Sequence, residues 1–189
     1  MRNLAILLFS FLFVLQSCGD DKKPAEKSEK KKLTLNGNNN SATANELKLI
    51  INGDFNTNDE LVVFWKDKSI GWFDEKNTLY GGALDTDGHQ SVEIKFPQGL
   101  IPNDLRIDIS NNEKQGDIKI NFIKLQNGTR ESYIFGDELD KYFKTNEYIS
   151  YDKSSKKLTF KKVDNNYDPY LSTTHDFILE MEKVLNTQF

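Results

Sequence analysis

From Glu46 onward the chain keeps returning to a two-residue alternation of apolar and polar side chains, a period that half-buried β-strands have and helices lack. Leu47, Leu49 and Ile51 set it first, before Asn52-Gly53-Asp54 breaks the run in the manner of a turn. Residues 91–96 alternate Val92, Ile94 and Phe96 with Ser91, Glu93 and Lys95, and Pro97 closes the segment. Leu105, Ile107 and Ile109 repeat the period, as do Ile118, Ile120 and Phe122. Leu61-Val62-Val63-Phe64-Trp65 is apolar on both faces, the signature of a strand covered on both sides or central in a sandwich.

Local turn chemistry agrees. Asn127-Gly128 lies between Phe122-Ile123-Lys124-Leu125 and Tyr133-Ile134-Phe135, where a tight hairpin is expected because both residues tolerate positive φ. A second hairpin is expected around Lys153-Ser154-Ser155. Between them, Leu139, Tyr142 and Phe143 fall at helical spacing behind acidic residues, which predicts a short helix over 137–144. In the tail, Phe177, Ile178, Met181, Val184 and Leu185 form one helical stripe with only Leu179 off it, so 174–188 reads as a helix rather than a strand. The expected fold is therefore all-β: an antiparallel sandwich or jelly roll of about eight short strands with little helix. No longer repeat is visible that would suggest a propeller or solenoid.

The first 45 residues have another character. Met1-Arg2-Asn3 is a positive start, and residues 4–15 are apolar except for Ser10, like a secretory signal. This run is shorter than the roughly 20 residues a spanning helix needs. It ends in Leu15-Gln16-Ser17-Cys18, which resembles a bacterial lipobox and contains the only cysteine of the chain. The resemblance implies that residues 1–17 are removed and that Cys18 carries acyl chains; two or more such chains anchor a protein stably. Gly19-Asp20-Asp21 looks like the export signal of Bacteroidota lipoproteins, which implies the outer membrane and leaves the periplasmic and surface faces open. Residues 19–45 hold no aromatic side chain and read as a disordered tether after the lipidated cysteine, reaching on the order of 30 Å. With no cysteine pair, the domain over 46–189 must be held by its core alone.

That domain carries 18 basic and 25 acidic side chains, an excess of seven negative charges, which disfavours a nucleic acid partner. Phosphate-loop, nucleophile-elbow and His-Glu-x-x-His motifs are missing, His89 and His175 stand far apart, and no carboxylate pair is singled out; a chain without catalysis or cofactor is expected. Asp85-Thr86-Asp87-Gly88 lacks the outer ligands of an EF-hand, leaving a plain turn or a structural calcium loop.

Trp72 and Phe73 stand in a polar, Gly-flanked loop, with Tyr80 shortly after, and aromatic faces of this kind stack on sugar rings. Trp65, inside an apolar strand, reads as core. Arg106 and Asp108 alternate with Leu105, Ile107 and Ile109 and so point outward together, as hydrogen-bonding partners for sugar hydroxyls or as a cross-strand charge pair. Gly71-Trp72-Phe73-Asp74-Glu75, Gln90-Ser91-Val92, Phe96-Pro97, Leu105-Arg106-Ile107-Asp108 with Asn111-Asn112, and Asp168-Pro169-Tyr170 follow Leu61 to Trp65 in an order that resembles a carbohydrate-binding-type sandwich of bacterial envelope proteins. The resemblance implies the sandwich fold and a bias toward glycan ligands, and carries over no catalytic residue; the expected function is a glycan-binding module. The alternative is a structural subunit of an envelope protein complex.

Overall fold

A computed structural model describes residues 46–84 and 88–189. The expected signal segment with Cys18, the expected tether and Asp85-Thr86-Asp87, read as a plain turn or calcium loop, lie outside the described residues. What is described is an antiparallel β-sandwich of two sheets. The first sheet is built on β1 (Leu47–Phe55) and β6 (Asp117–Asn127), with β4 (His89–Lys95) beyond β1. On the far side of β6, β7 (Arg130–Phe135) pairs with its C-terminal half and β10 (Lys157–Phe160) with its N-terminal half, followed by β9 (Ile149–Asp152). The second sheet runs β3 (Thr78–Ala83), β2 (Asp59–Lys66), β5 (Asp104–Asp108), β11 (Tyr170–Thr173), β8 (Phe143–Thr145).

The inner faces interdigitate. Leu47, Leu49, Ile51 and Phe55 of β1 and Ile118, Ile120, Ile123 and Leu125 of β6 meet Leu61 and Val63 of β2 and Leu105 and Ile107 of β5, all inaccessible to water. Trp65 is partly buried against this core, as its strand context suggests.

Where the sheets part, α2 (His175–Leu185) fills the gap with Phe177, Met181, Val184 and Leu185. The Phe177 and Phe143 rings sit 4.9 Å apart, centre to centre. The helix ends at Asn186, whose left-handed backbone turns its N–H back onto the carbonyls of Glu182 and Lys183. Leu179 faces solvent, as the stripe predicts.

Several local expectations are corrected. Asn52-Gly53-Asp54 is no turn: β1 continues to Phe55 because its backbone groups are taken by β4 on one side and β6 on the other. The register with β6 shifts between Asn52 and Gly53 instead, a bulge that leaves one extra residue in β6. Phe122 consequently leaves the inward period of Ile118 and Ile120, and Ile123 and Leu125 take its place in the core.

The hairpin turn is Gly128-Thr129 rather than Asn127-Gly128. Asn127 pairs with Arg130, and positive φ occurs at Gly128 (61°) but not at Thr129, the pattern of a II′ turn. Asn127 is buried, its Oδ1 accepting from the Glu46 N–H and its Nδ2 donating to the Val184 carbonyl. It ties the start of β1 to the end of α2.

The expected helix over 137–144 shrinks to the single turn α1 (Leu139–Tyr142), because Phe143 to Thr145 pair with β11. The second hairpin forms as expected, with Asp152 opposite Lys157. Asp152 accepts from the Ser154 N–H and hydroxyl and from the Ser155 hydroxyl, which brings its carboxyl down to about 2.

Candidate functional site

Of the residues singled out in the sequence, Tyr80, Arg106 and Asp108 lie on the outer side of the five-stranded sheet, while Trp72 and Phe73 stand in the loop between β2 and β3. Register places Tyr80 beside Val62, Val62 beside Asp108 and Asp108 beside Tyr170. One step along the strands, Thr78, Phe64, Arg106 and Ser172 form the neighbouring row. This explains why β2 is apolar on both faces without a third layer: Val62 is covered by its neighbours, and the Arg106 guanidinium lies 5.0 Å from the Phe64 ring centre.

That guanidinium also lies 4.1 Å from the Tyr170 ring, donates to both Asp108 oxygens at 2.7 and 3.0 Å, and reaches Asp168 at 3.1 Å. The charge pair thus runs along one strand, and a second carboxylate joins it from beside β11. Two aromatic faces here are occupied by a cation. Phe73 is half-buried and likewise covered, with the Lys66 ammonium 4.4 Å above its ring. Trp72 and Tyr80 are open to solvent, 71% and 61% exposed. The loop carrying Trp72 is held between the Asp67 turn, which accepts from the Ser69 N–H and hydroxyl, and Asp74, which accepts from the Lys76 N–H.

Burial pushes the Asp108 carboxyl above its ordinary value, against the downward pull of Arg106. Asp108 and Asp152 should therefore titrate on opposite sides of 3.8 in carboxyl-detected NMR, Asp152 near 2. The stability consequences have opposite signs. Asp152 supports the fold above its unfolded value and loses that support as pH falls through about 2. For Asp108 the support is present in acid and is lost as pH rises through the raised value. Coincident titration of the two carboxyls would contradict this assignment.

The outer face of the six-stranded sheet carries a second set that sequence reasoning missed. The bulge turns Phe122 outward, beside Tyr133 and Phe135. The Phe122 and Tyr133 rings meet edge to face at 5.3 Å; Tyr133 and Phe135 lie nearly parallel, 17° apart in plane and 6.3 Å between centres. Tyr133 is 41% and Phe135 51% exposed. Next to them is a hydrogen-bonded chain: Asn121 Nδ2 donates to Asn52 Oδ1 at 3.1 Å, and Asn52 Nδ2 donates to Ser91 Oγ at 2.8 Å. His89 Nδ1 stands 3.0 Å from Asp54 Oδ1 and 3.2 Å from Asn121 Nδ2. The visible clue to this face was Tyr133 and Phe135 at two-residue spacing; no clue foretold the bulge that adds Phe122.

Most cations on this face stand beside a carboxylate, and Lys119 is the register neighbour of Asp54. Lys124 pairs with Glu131, and Glu93 lies between Lys48 and Lys95. Among the described residues no three His, Cys, Asp or Glu side chains converge to hold an ion, and no helix is long and apolar enough to cross a membrane.

Fold and surface together define the class: an antiparallel β-sandwich with exposed aromatic rings on the outer faces of its sheets. No protein-family model, curated protein or solved structure matches the chain.

Proposed function

We propose that this chain is a lipid-anchored protein of the cell envelope, held at the outer membrane through Cys18, whose sandwich binds glycans without transforming them. The observation that carries the glycan reading is the ring row Phe122, Tyr133 and Phe135 beside the Asn121-Asn52-Ser91 chain. A sugar ring has an apolar C–H face and a rim of hydroxyls, and this surface offers flat apolar rings next to amide and hydroxyl groups. Matched charges and an acidic domain disfavour the other stacking ligand, a single-stranded nucleic acid, which requires a basic track.

A second reading, an interaction subunit of an envelope complex, rests on Trp72, Tyr80 and Leu84, all exposed on or beside the five-stranded sheet. Affinity electrophoresis through gels cast with β-glucan, xylan, mannan or chitosan separates the two. Under the glycan reading at least one polymer retards the domain, and the double variant Tyr133→Ala, Phe135→Ala weakens binding on the order of tenfold or more while Trp72→Ala does not. Retardation by none of the polymers would leave the interaction reading. In bacterial cells producing the full chain, Cys18→Ser should move the protein from the membrane to the soluble fraction; retention would remove the anchor from the proposal.

A further inference from the structure

The ring row does not stop at β6. Strand register aligns one outward side chain from each of four neighbouring strands: Phe135 of β7 faces Phe122 of β6, Phe122 faces Asn52 of β1, and Asn52 faces Ser91 of β4. With strands about 4.8 Å apart, the row spans roughly 14 Å across the sheet. It is apolar at the β7 end and polar at the β4 end. Tyr133 and Lys124 border it on one side, and Asn121, His89 and Asp54 on the other.

The polar end is oriented. Asn52 is nearly buried, and both ends of its amide are engaged, one accepting from Asn121 and the other donating to Ser91. Ser91 is exposed, and because its oxygen already accepts from Asn52, its own proton is free to be donated outward. His89 is 62% exposed at its side chain, and its Nδ1 is held between Asp54 and Asn121, so Nε2 faces outward. One end of the row therefore stacks while the other donates and accepts hydrogen bonds.

Resting on the glycan reading above, we infer that this row is a track for an extended, uncharged glycan lying across the strands and covering about three sugar units. A terminal sugar would use only one end. Neutrality follows from the surrounding charges: among the described residues Lys124 is paired with Glu131, Lys48 and Lys95 share Glu93, and Lys119, at the border of the row, stands opposite Asp54 in the strand register, so no cluster of free cations awaits a uronate or sulfate. The bulge sets the geometry, since a β6 that alternated regularly through Asn121 would carry Phe122 inward in phase with Ile118 and Ile120, and the two halves of the row would be separated by a gap.

Calorimetric titration of the full chain with linear gluco-, xylo-, manno- and N-acetylglucosamine oligomers of one to five units tests the inference, with a pectic galacturonate trimer as the charged counterpart. Affinity should rise at least tenfold from monomer to trimer and then level off, about 1.4 kcal/mol per tenfold. Phe135→Ala and Ser91→Ala, changed one at a time at opposite ends, should each weaken trimer binding about tenfold, whereas Trp72→Ala leaves it unchanged. Thermal melting of each variant checks that the fold is intact. Equal affinity for monomer and trimer, tighter binding of the galacturonate trimer, or loss with Trp72→Ala but not Phe135→Ala would overturn the track and leave the glycan reading standing. Binding of no oligomer at all would overturn both.

Discussion

Replacing Gly136 with Ala is expected to lower the melting temperature by roughly 10 °C, the largest effect of any single methyl group added to this domain. Gly136 lies where the chain leaves β7 and passes under β6. Its N–H donates to the Asn121 carbonyl at 3.0 Å, and its carbonyl accepts from the Tyr151 hydroxyl at 2.6 Å. A Cβ at this position would press into the Ile120 carbonyl oxygen far inside van der Waals contact, and would stand 2.9 Å from the carbonyl carbon and 3.1 Å from Lys156 Cβ.

Backbone atoms, not a flexible side-chain end, block the site, and they cannot yield. The Ile120 N–H is itself bonded to the Lys156 carbonyl, so the crossing of β6 and the β9–β10 hairpin would have to separate. Such overpacking costs about 3 kcal/mol. Gly82→Ala is the control: its Cβ meets nothing within 4 Å, and its effect should stay within about 0.5 kcal/mol. Urea or thermal unfolding of the two variants decides the matter. If Gly136→Ala melts within a degree or two of the parent, the close crossing is misplaced. Because Asn121 belongs to both this crossing and the polar row, the variant should also weaken glycan binding.

The second large effect is expected at Asp59. Its carboxylate sits at the start of β2, barely exposed, and collects four donors: the N–H groups of Glu60, Asn111 and Asn112 and the Ser110 hydroxyl. Ser110 is in turn 2.8 Å from the Tyr167 hydroxyl. One side chain thus binds the turn after β5 to the head of β2 and to the approach to β11. Asp59→Ala leaves these donors facing a void and should cost about 2–4 kcal/mol. Asp59→Asn should cost less than about 1.5 kcal/mol. An amide oxygen can still accept from the three N–H groups, and its NH2 can donate to Ser110, whose hydroxyl can accept. Equal losses for Ala and Asn would show that charge rather than hydrogen-bond satisfaction holds this turn.

Asp59 also marks a limit of sequence reading. Nothing in Asn58-Asp59-Glu60 distinguishes a buried anchor from a solvated acidic turn, because three of its four donors lie about fifty residues away in the chain. Similarly, β3, β8 and β11 went unrecognised. β3 contains Gly81-Gly82, and β8 and β11 are only three and four residues long, too short to establish a period. Phe143 fits a helical stripe and a strand equally well; the partner strand β11 decides for the strand. Arg106 and Asp108 were legible as outward neighbours, but the Phe64 and Tyr170 rings that enclose the guanidinium come from strands distant in sequence.

What the sequence determined by itself is the class of fold and most of its core. Alternation of side chains is a local property that any one strand displays, so Leu47, Leu49 and Ile51 or Leu105 and Ile107 declare their buried face without knowledge of partners. Pairing register is not local. The shift opposite Asn52 and Gly53 exists only because β1 and β6 are aligned by their neighbours, and it alone moves Phe122 from the expected core to the surface. The row that joins Phe135 to Ser91 was therefore decided by tertiary structure, through backbone hydrogen bonds between residues far apart in the chain.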